Sequence, residues 1–300
     1  MKNSRMFRQN TITFVRSLLA ASLLLTLIFT PMNGLFRSEH ISGLRENVRG
    51  LMQLNFFLWS DSVYLALGFS YLVLALVILG VYPRITCILH TWVTYSCFYT
   101  MVIVEGGDQI NAILTCLIVP ISILDNRKNG WKIAGEMRVN SLLQFNASMA
   151  MLAIRVQMAL LYLNAGISKI FAPEWSNGTA IYYWFNDAMF GAPHWLRSTI
   201  GFLFTNILTV SLINWSVIFL EILLFTGLFI EQKFRYLLFV LAFLFHFAIV
   251  IVHGLPTFWL AMTGGLILFL FRPDLSIMEN IAELKKVTKI KIPFNELRSV

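Results

Sequence analysis

The sequence predicts an all-α, polytopic membrane bundle of about eight transmembrane helices. Three observations carry this: composition, the spacing of the apolar runs and the placement of the basic residues. Of 300 residues 58% are hydrophobic, 14% aromatic and only 13% charged, whereas an ordinary soluble domain carries about 25% charged residues. Mean hydropathy is +0.73. The formal charge of +8 does not point to nucleic acid, because a membrane protein gathers Lys and Arg in its cytoplasmic loops. Cys87, Cys97 and Cys116 lie in apolar segments, without CxxC or Cys/His spacing, so neither a disulfide framework nor a metal site is expected.

Taken in order, Lys2, Arg5, Arg8 and Arg16 precede or open the apolar run 17–30. The run resembles a secretory signal but lacks a small-x-small cleavage site. Extended by residues 12–15, it approaches the roughly 20 residues a span needs and reads as an uncleaved first helix. Further runs near 62–82, 85–104, 109–125, 147–170, 202–230, 235–253 and 255–271 bring the count to eight. The Pro83-Arg84 turn is short enough that the second and third spans must form an antiparallel hairpin. With the N-terminus inside, cytoplasmic segments collect Arg84, Arg127, Lys128, Lys132, Arg138, Lys233, Arg235, Arg272, Lys285, Lys286, Lys289, Lys291 and Arg298. The outer loops keep Arg37, Arg45, Arg49 and Arg197. Both termini are therefore expected to be cytoplasmic. Residues 1–271 read as one transmembrane domain and 272–300 as a basic cytoplasmic tail drawn to the membrane surface.

Two outer loops are expected. Residues 31–61 end in Phe56, Phe57 and Trp59, placed along the headgroups. Residues 172–200 interleave Trp175, Tyr182, Tyr183, Trp184, Phe185, Phe190, His194 and Trp195 with Glu174, Asn177, Asn186, Asp187 and Arg197. That pattern fits an interfacial aromatic belt or a lid, carried by Trp175, Trp184 and Trp195, over a site below it.

Ionisable groups within the hydrocarbon cost at least ~2.5–3.5 kcal/mol each, so they are expected to face the bundle interior and to have partners. Arg155, Tyr162 and Lys169 recur every seven residues, as do Asn214 and Glu221, and His246 and His253. Seven residues is close to two helical turns, so each set shares one face. Counted from the run ends, Arg155 lies roughly 12 Å from the inner side, Glu221 roughly 15 Å and His246 roughly 16 Å. This predicts an Arg155–Glu221 ion pair near mid-membrane and a Lys169/His253 layer above it. Such a pair can be purely structural, and Lys169 can simply snorkel to the interface. Buried in a dry site, however, a lysine can act as a general base.

The string Tyr162-Leu163-Asn164-Ala165-Gly166-Ile167-Ser168-Lys169, then Trp175 and Gly178-Thr179-Ala180, resembles the signature of the HTTM domain. That domain is the membrane module of vitamin K-dependent gamma-carboxylase and its bacterial relatives. The Glu105-Gly106-Gly107-Asp108 corner with its apolar run to Pro120, the Glu221 helix and Phe245-His246 follow in the matching order, so the resemblance covers about 13–271. It implies that Lys169 stands where the carboxylase has the lysine implicated in deprotonating reduced vitamin K, with His246 in the matching Phe-His segment. The carboxylase continues into a large lumenal domain, where this sequence has a short basic tail.

A stand-alone HTTM protein of this size resembles the sporulation-delaying protein B family, bacterial membrane proteins needed to turn a secreted precursor into an active antimicrobial peptide. The resemblance implies maturation of a peptide toxin at the cell membrane, with the precursor and a small co-encoded protein as partners. Lys169, His246 and His253 are its candidate catalytic residues, and whether the chain is an enzyme stays open. A quinone-linked oxidoreductase or carboxylase-like enzyme is the first alternative, with a quinone as its cofactor. A transporter or immunity protein is the second, although no inverted repeat or paired broken helices are visible. No HExxH, GxSxG or P-loop occurs, and adjacent Ser168 and Lys169 point about 100° apart on a helix, which makes a Ser–Lys dyad a poor reading.

Overall fold

A chain this apolar satisfies its backbone N–H and C=O groups within each segment, and helices do that residue by residue. The computed structural model describes residues 2–4, 10–133 and 137–288. Arg5, Arg8, Lys289, Lys291 and Arg298 lie outside the described residues. The chain opens on β1 (Lys2–Ser4), which pairs antiparallel with β2 (Met137–Val139), Lys2 opposite Val139. Apart from this ribbon and a single bridge between Val81 and Asn129, the regular structure among the described residues is helical.

The first half comprises α1 (Asn10–Phe29), the short α2 (Met32–Leu35) and α3 (Ser38–Glu46), then α4 (Val63–Ile78), α5 (Pro83–Thr100) and α6 (Gly106–Ser122). Arg16 is buried and donates to Pro83 O at 3.3 Å and Thr86 Oγ1 at 3.0 Å, tying α1 to the turn between α4 and α5. The loop 31–61 does not lie along headgroups throughout. Phe56 and Phe57 are buried, Phe57 stacking on Phe36 at 4.8 Å and Phe56 meeting Trp92 edge-on at 5.3 Å, and only Trp59 is exposed. The buried Asn55 holds this loop down by donating to Thr100 Oγ1 at 2.8 Å.

The second half begins with α7 (Ser141–Phe171), which the Asn140 side chain caps. At 31 residues it is roughly 46 Å long, starting well before the apolar run. A cap of α8 (Pro173–Ser176), α9 (Ala180–Asn186) and α10 (His194–Ile200) follows, with its own small core of Phe185, Ala192, Leu196, Phe204 and Val210. Next come α11 (Ile207–Phe225), α12 (Gln232–His253), α13 (Pro256–Leu270) and α14 (Ile277–Thr288). The apolar run 202–230 is not one helix. Asn206 Oδ1 accepts the Leu208 and Thr209 N–H groups and starts α11, leaving Gly201–Phe204 as a 3-10 turn in the cap.

Among the described residues four helices are long and apolar enough to cross a membrane: Asn10–Phe29, Ser141–Phe171, Ile207–Leu228 and Gln232–His253. The apolar Val63–Ile78 and Pro256–Leu270 are shorter. Of these, α13 is the hub: every residue from Ala261 to Leu270 is buried, against α1, α6, α7 and α12. A helix apolar on all sides belongs inside a bundle. The last described helix docks through Asn280, whose side chain accepts from Tyr236 Oη and the Arg272 N–H and donates to Arg272 O and Ser276 O.

Candidate functional site

The polar stripes meet where α7, α11 and α12 pack together. Gly166 permits the approach: a Cβ there would stand 2.8 Å from Ile222 Cγ1 and 3.4 Å from Ile218 O. Small residues at such crossings let helix backbones close up. Helical side chains tilt toward the helix N-terminus, so Lys169 reaches back along α7, its Nζ lying 3.5 Å from Ala165 O. Nζ donates to Glu221 Oε1 at 2.8 Å, and the ammonium stands 5.2 Å from the centre of the Trp175 ring. Beside this pair, Tyr162 Oη and His246 Nε2 are 2.9 Å apart, both residues buried. His246 lies within electrostatic reach of the Lys169 ammonium, and Tyr162 within reach of the Glu221 carboxylate.

This arrangement corrects the predicted layers. Arg155 and Glu221 are not a pair: Arg155 Nη2 donates to Phe271 O at 3.1 Å, capping the end of α13. The depth count fails because the inner helix ends do not coincide with the run ends, α7 beginning at Ser141 rather than near 147 and α11 ending at Phe225 rather than near 230, and because the lysine reaches back rather than up. Lys169 joins Glu221 and His246 in one layer with Tyr162, while His253 stands apart. His253 Nδ1 lies 2.6 Å from Phe190 O in the cap, and its ring meets Trp184 edge-on at 6.1 Å.

Of the three tryptophans, Trp175 lies against Lys169, Trp184 against His253, and Trp195 is exposed on the cap. The Trp175 carbonyl accepts from Asn214 Nδ2 at 2.7 Å, which fixes the cap to α11. Asn214 and Tyr162 were visible as stripe members, but periodicity names a face and not a partner. At the far side of the cap, Asp187 accepts the N–H groups of Phe190 and Met189 at 2.7 and 2.8 Å, which holds its carboxyl below the usual range, with Arg197 and His253 adding to the effect.

Chemically, the cluster joins a charged pair to a neutral hydrogen-bonded pair. Paired with Glu221, Lys169 is an ammonium, and it becomes a base only after its proton moves to Glu221 or to another acceptor. Glu221 Oε2 and His246 Nδ1 are buried without a partner, so the site retains one free acceptor and one free imidazole nitrogen. Among the described residues no group of three or more His, Cys, Asp or Glu is placed to hold a metal ion.

The chain is similar to two proteins of Bacillus subtilis (strain 168). It is 31% identical to sporulation-delaying protein SdpB over 274 residues, 91% of this chain and 84% of that protein. It is 30% identical to the uncharacterized protein YitO over 272 residues, 89% and 87% of the two chains. No family model matches the sequence, and no solved structure matches it.

Proposed function

The chain belongs to the family of sporulation-delaying protein SdpB, and on that premise we propose that it serves a toxin system of the sporulation-delaying type, maturing a secreted peptide precursor. It acts as a multi-pass protein of the cell membrane with the precursor and a small co-encoded protein as partners. The similarity to SdpB along 91% of the chain carries this reading. The relatedness to the HTTM module of the carboxylase belongs to the same proposal, resting on the Tyr162–Lys169 string and on Phe245-His246.

In this reading α4, α5, α6 and α13 cross the membrane beside the four longer helices, giving eight spans with both termini in the cytoplasm. The excess of Lys and Arg in the segments so placed supports that topology. The cap then faces outward, where an exported peptide arrives, and Trp175 and Trp184 form its underside. Lys169 and His246 are the reacting groups, Glu221 the residue that holds or accepts the lysine proton, and His253 the link between the cap and the site.

Intact-mass spectrometry of the secreted peptide tests this, comparing cells with wild-type protein, with no protein, with Lys169→Ala, and with the double variant Lys169→Met/Glu221→Leu. A wild-type peptide whose mass differs from that of the deletion strain, with both variants matching the deletion at normal membrane abundance, is the expected result. The same peptide from all strains overturns the maturation role. A matured peptide from both variants removes Lys169 from the chemistry.

One observation favours a quinone, held in its reduced hydroquinone form, as the group on which such chemistry depends: Glu221 Oε2 is a buried, unpartnered acceptor for one hydroquinone O–H and His246 Nδ1 a buried, unpartnered nitrogen for the second oxygen, a pair of convergent polar groups that would orient it. Those two side chains would hold it, and it would supply redox capacity to the site. Organic extraction of purified protein, followed by mass spectrometry, reads its presence directly.

A further inference from the structure

A second buried polar group lies away from Lys169, between α1, α5 and α6. Thr94, Asp108 and Asn111 line a narrow cleft together with Leu23, Phe98 and Met101. Asp108 is 4% exposed and Asn111 0%.

Each polar side chain already has its other bonding position occupied. Asp108 Oδ2 accepts the Glu105 N–H at 3.0 Å as part of the cap that starts α6. The Asn111 amide nitrogen donates to Leu19 O at 2.8 Å, which orients its oxygen the opposite way. The Thr94 hydroxyl spends its proton on His90 O at 2.5 Å. What remains toward the cleft is Asp108 Oδ1 and Asn111 Oδ1, both without a partner, and the lone pairs of Thr94 Oγ1. Residues three apart lie on one face of a helix, so the two α6 oxygens are neighbours.

Three oxygen acceptors with no donor among them form a ligand set for a hard cation. Asp108 contributes one negative charge, which a single positive charge balances. Three oxygens fall well short of the roughly six to eight that a calcium ion takes. Nowhere is the cleft wide enough to centre a water-sized sphere, which favours a bare ion smaller than water. The Glu105 carboxylate is engaged elsewhere, accepting from Thr257 Oγ1 at 2.7 Å.

We propose that Asp108 Oδ1, Asn111 Oδ1 and Thr94 Oγ1 bind one sodium ion, which fastens α6 to α1 and α5. The ion is structural, independent of the Lys169 cluster, and makes the stability of the bundle sodium-dependent.

The test uses the full chain in lipid nanodiscs, with equilibrium binding of radioactive sodium and with thermal unfolding as NaCl replaces choline chloride at constant ionic strength. Wild-type protein is expected to bind one sodium ion saturably, and its unfolding midpoint to rise with sodium, potassium being at least tenfold weaker. Asp108→Asn abolishes binding, and the isosteric Thr94→Val weakens it about tenfold. No saturable binding to the wild type overturns the proposal, whatever the variants do. So does binding unchanged in Asp108→Asn, or a midpoint that responds to pH and not to sodium, since a proton on Asp108 would then supply the missing donor.

Discussion

Replacing one member of the Lys169–Glu221 pair strands the other, and the two partners are not equally placed. The Glu221 side chain is 7% exposed and that of Lys169 22%. Removing one partner of a buried pair costs about 3–5 kcal/mol, mostly the penalty of the abandoned charge. Lys169→Met leaves a carboxylate fixed in the core and falls in that range. Glu221→Leu leaves an ammonium on a long stem that can turn toward the polar edge, so about 2 kcal/mol is expected. The double variant Lys169→Met/Glu221→Leu strands nothing, and a coupling of about 1–3 kcal/mol is expected from its cycle. Thermal unfolding of purified protein in one detergent reads the three values, and membrane abundance of a fluorescent fusion gives the same order in cells. Strict additivity in the double refutes the pairing, and equal cost for the two single changes refutes the asymmetry. The cycle of Arg155→Leu with Glu221→Leu serves as the contrast and is expected to be additive, because Arg155 bonds to Phe271 O.

Other expectations follow from the same contacts. Tyr162→Phe removes the hydroxyl bonded to His246 and should cost about 1–3 kcal/mol in the same unfolding assay, as a buried group loses its partner. Gly166→Ala drives a Cβ to within 2.8 Å of Ile222, an overpacking of about 1–3 kcal/mol; adding Ile222→Val should recover part of it. Asn280→Ala leaves Tyr236 Oη and the Arg272 N–H without the oxygen they share, and α14 should become accessible to limited proteolysis before the bundle melts. For pH, the Asp187 carboxyl is held low by the Phe190 and Met189 N–H groups. Its stabilisation of the cap is therefore complete above the unfolded carboxylate value, near 3.9, and is lost as pH falls through the lower folded value. Fluorescence of the cap tryptophans should report that acid-side loosening in the wild type, and Asp187→Ala should lack it.

Much of the protein was legible in the sequence because the signals are local. Long apolar runs state the membrane class directly, and seven-residue spacing placed Tyr162 with Lys169, Asn214 with Glu221 and His246 with His253 on common faces, since helical periodicity is a property of one segment. Lys169, Glu221 and His246 do meet. Their partners were not legible, because a partner depends on the offset between two helices. α7 begins at Ser141 and α11 ends at Phe225, neither where the apolar runs end, and Gly166 sets how closely the two helices approach. Together these bring Glu221 to Lys169 and leave Arg155 to the end of α13. The burial of Phe56 and Phe57 was hidden for a similar reason: an aromatic cluster reads alike whether it lies on a membrane surface or folds back on Phe36 and Trp92. Composition and period thus determined what kind of helices the chain makes and which faces are polar. Only tertiary packing decided which charges share a layer, because that follows from helix ends and crossing distances that no single segment contains.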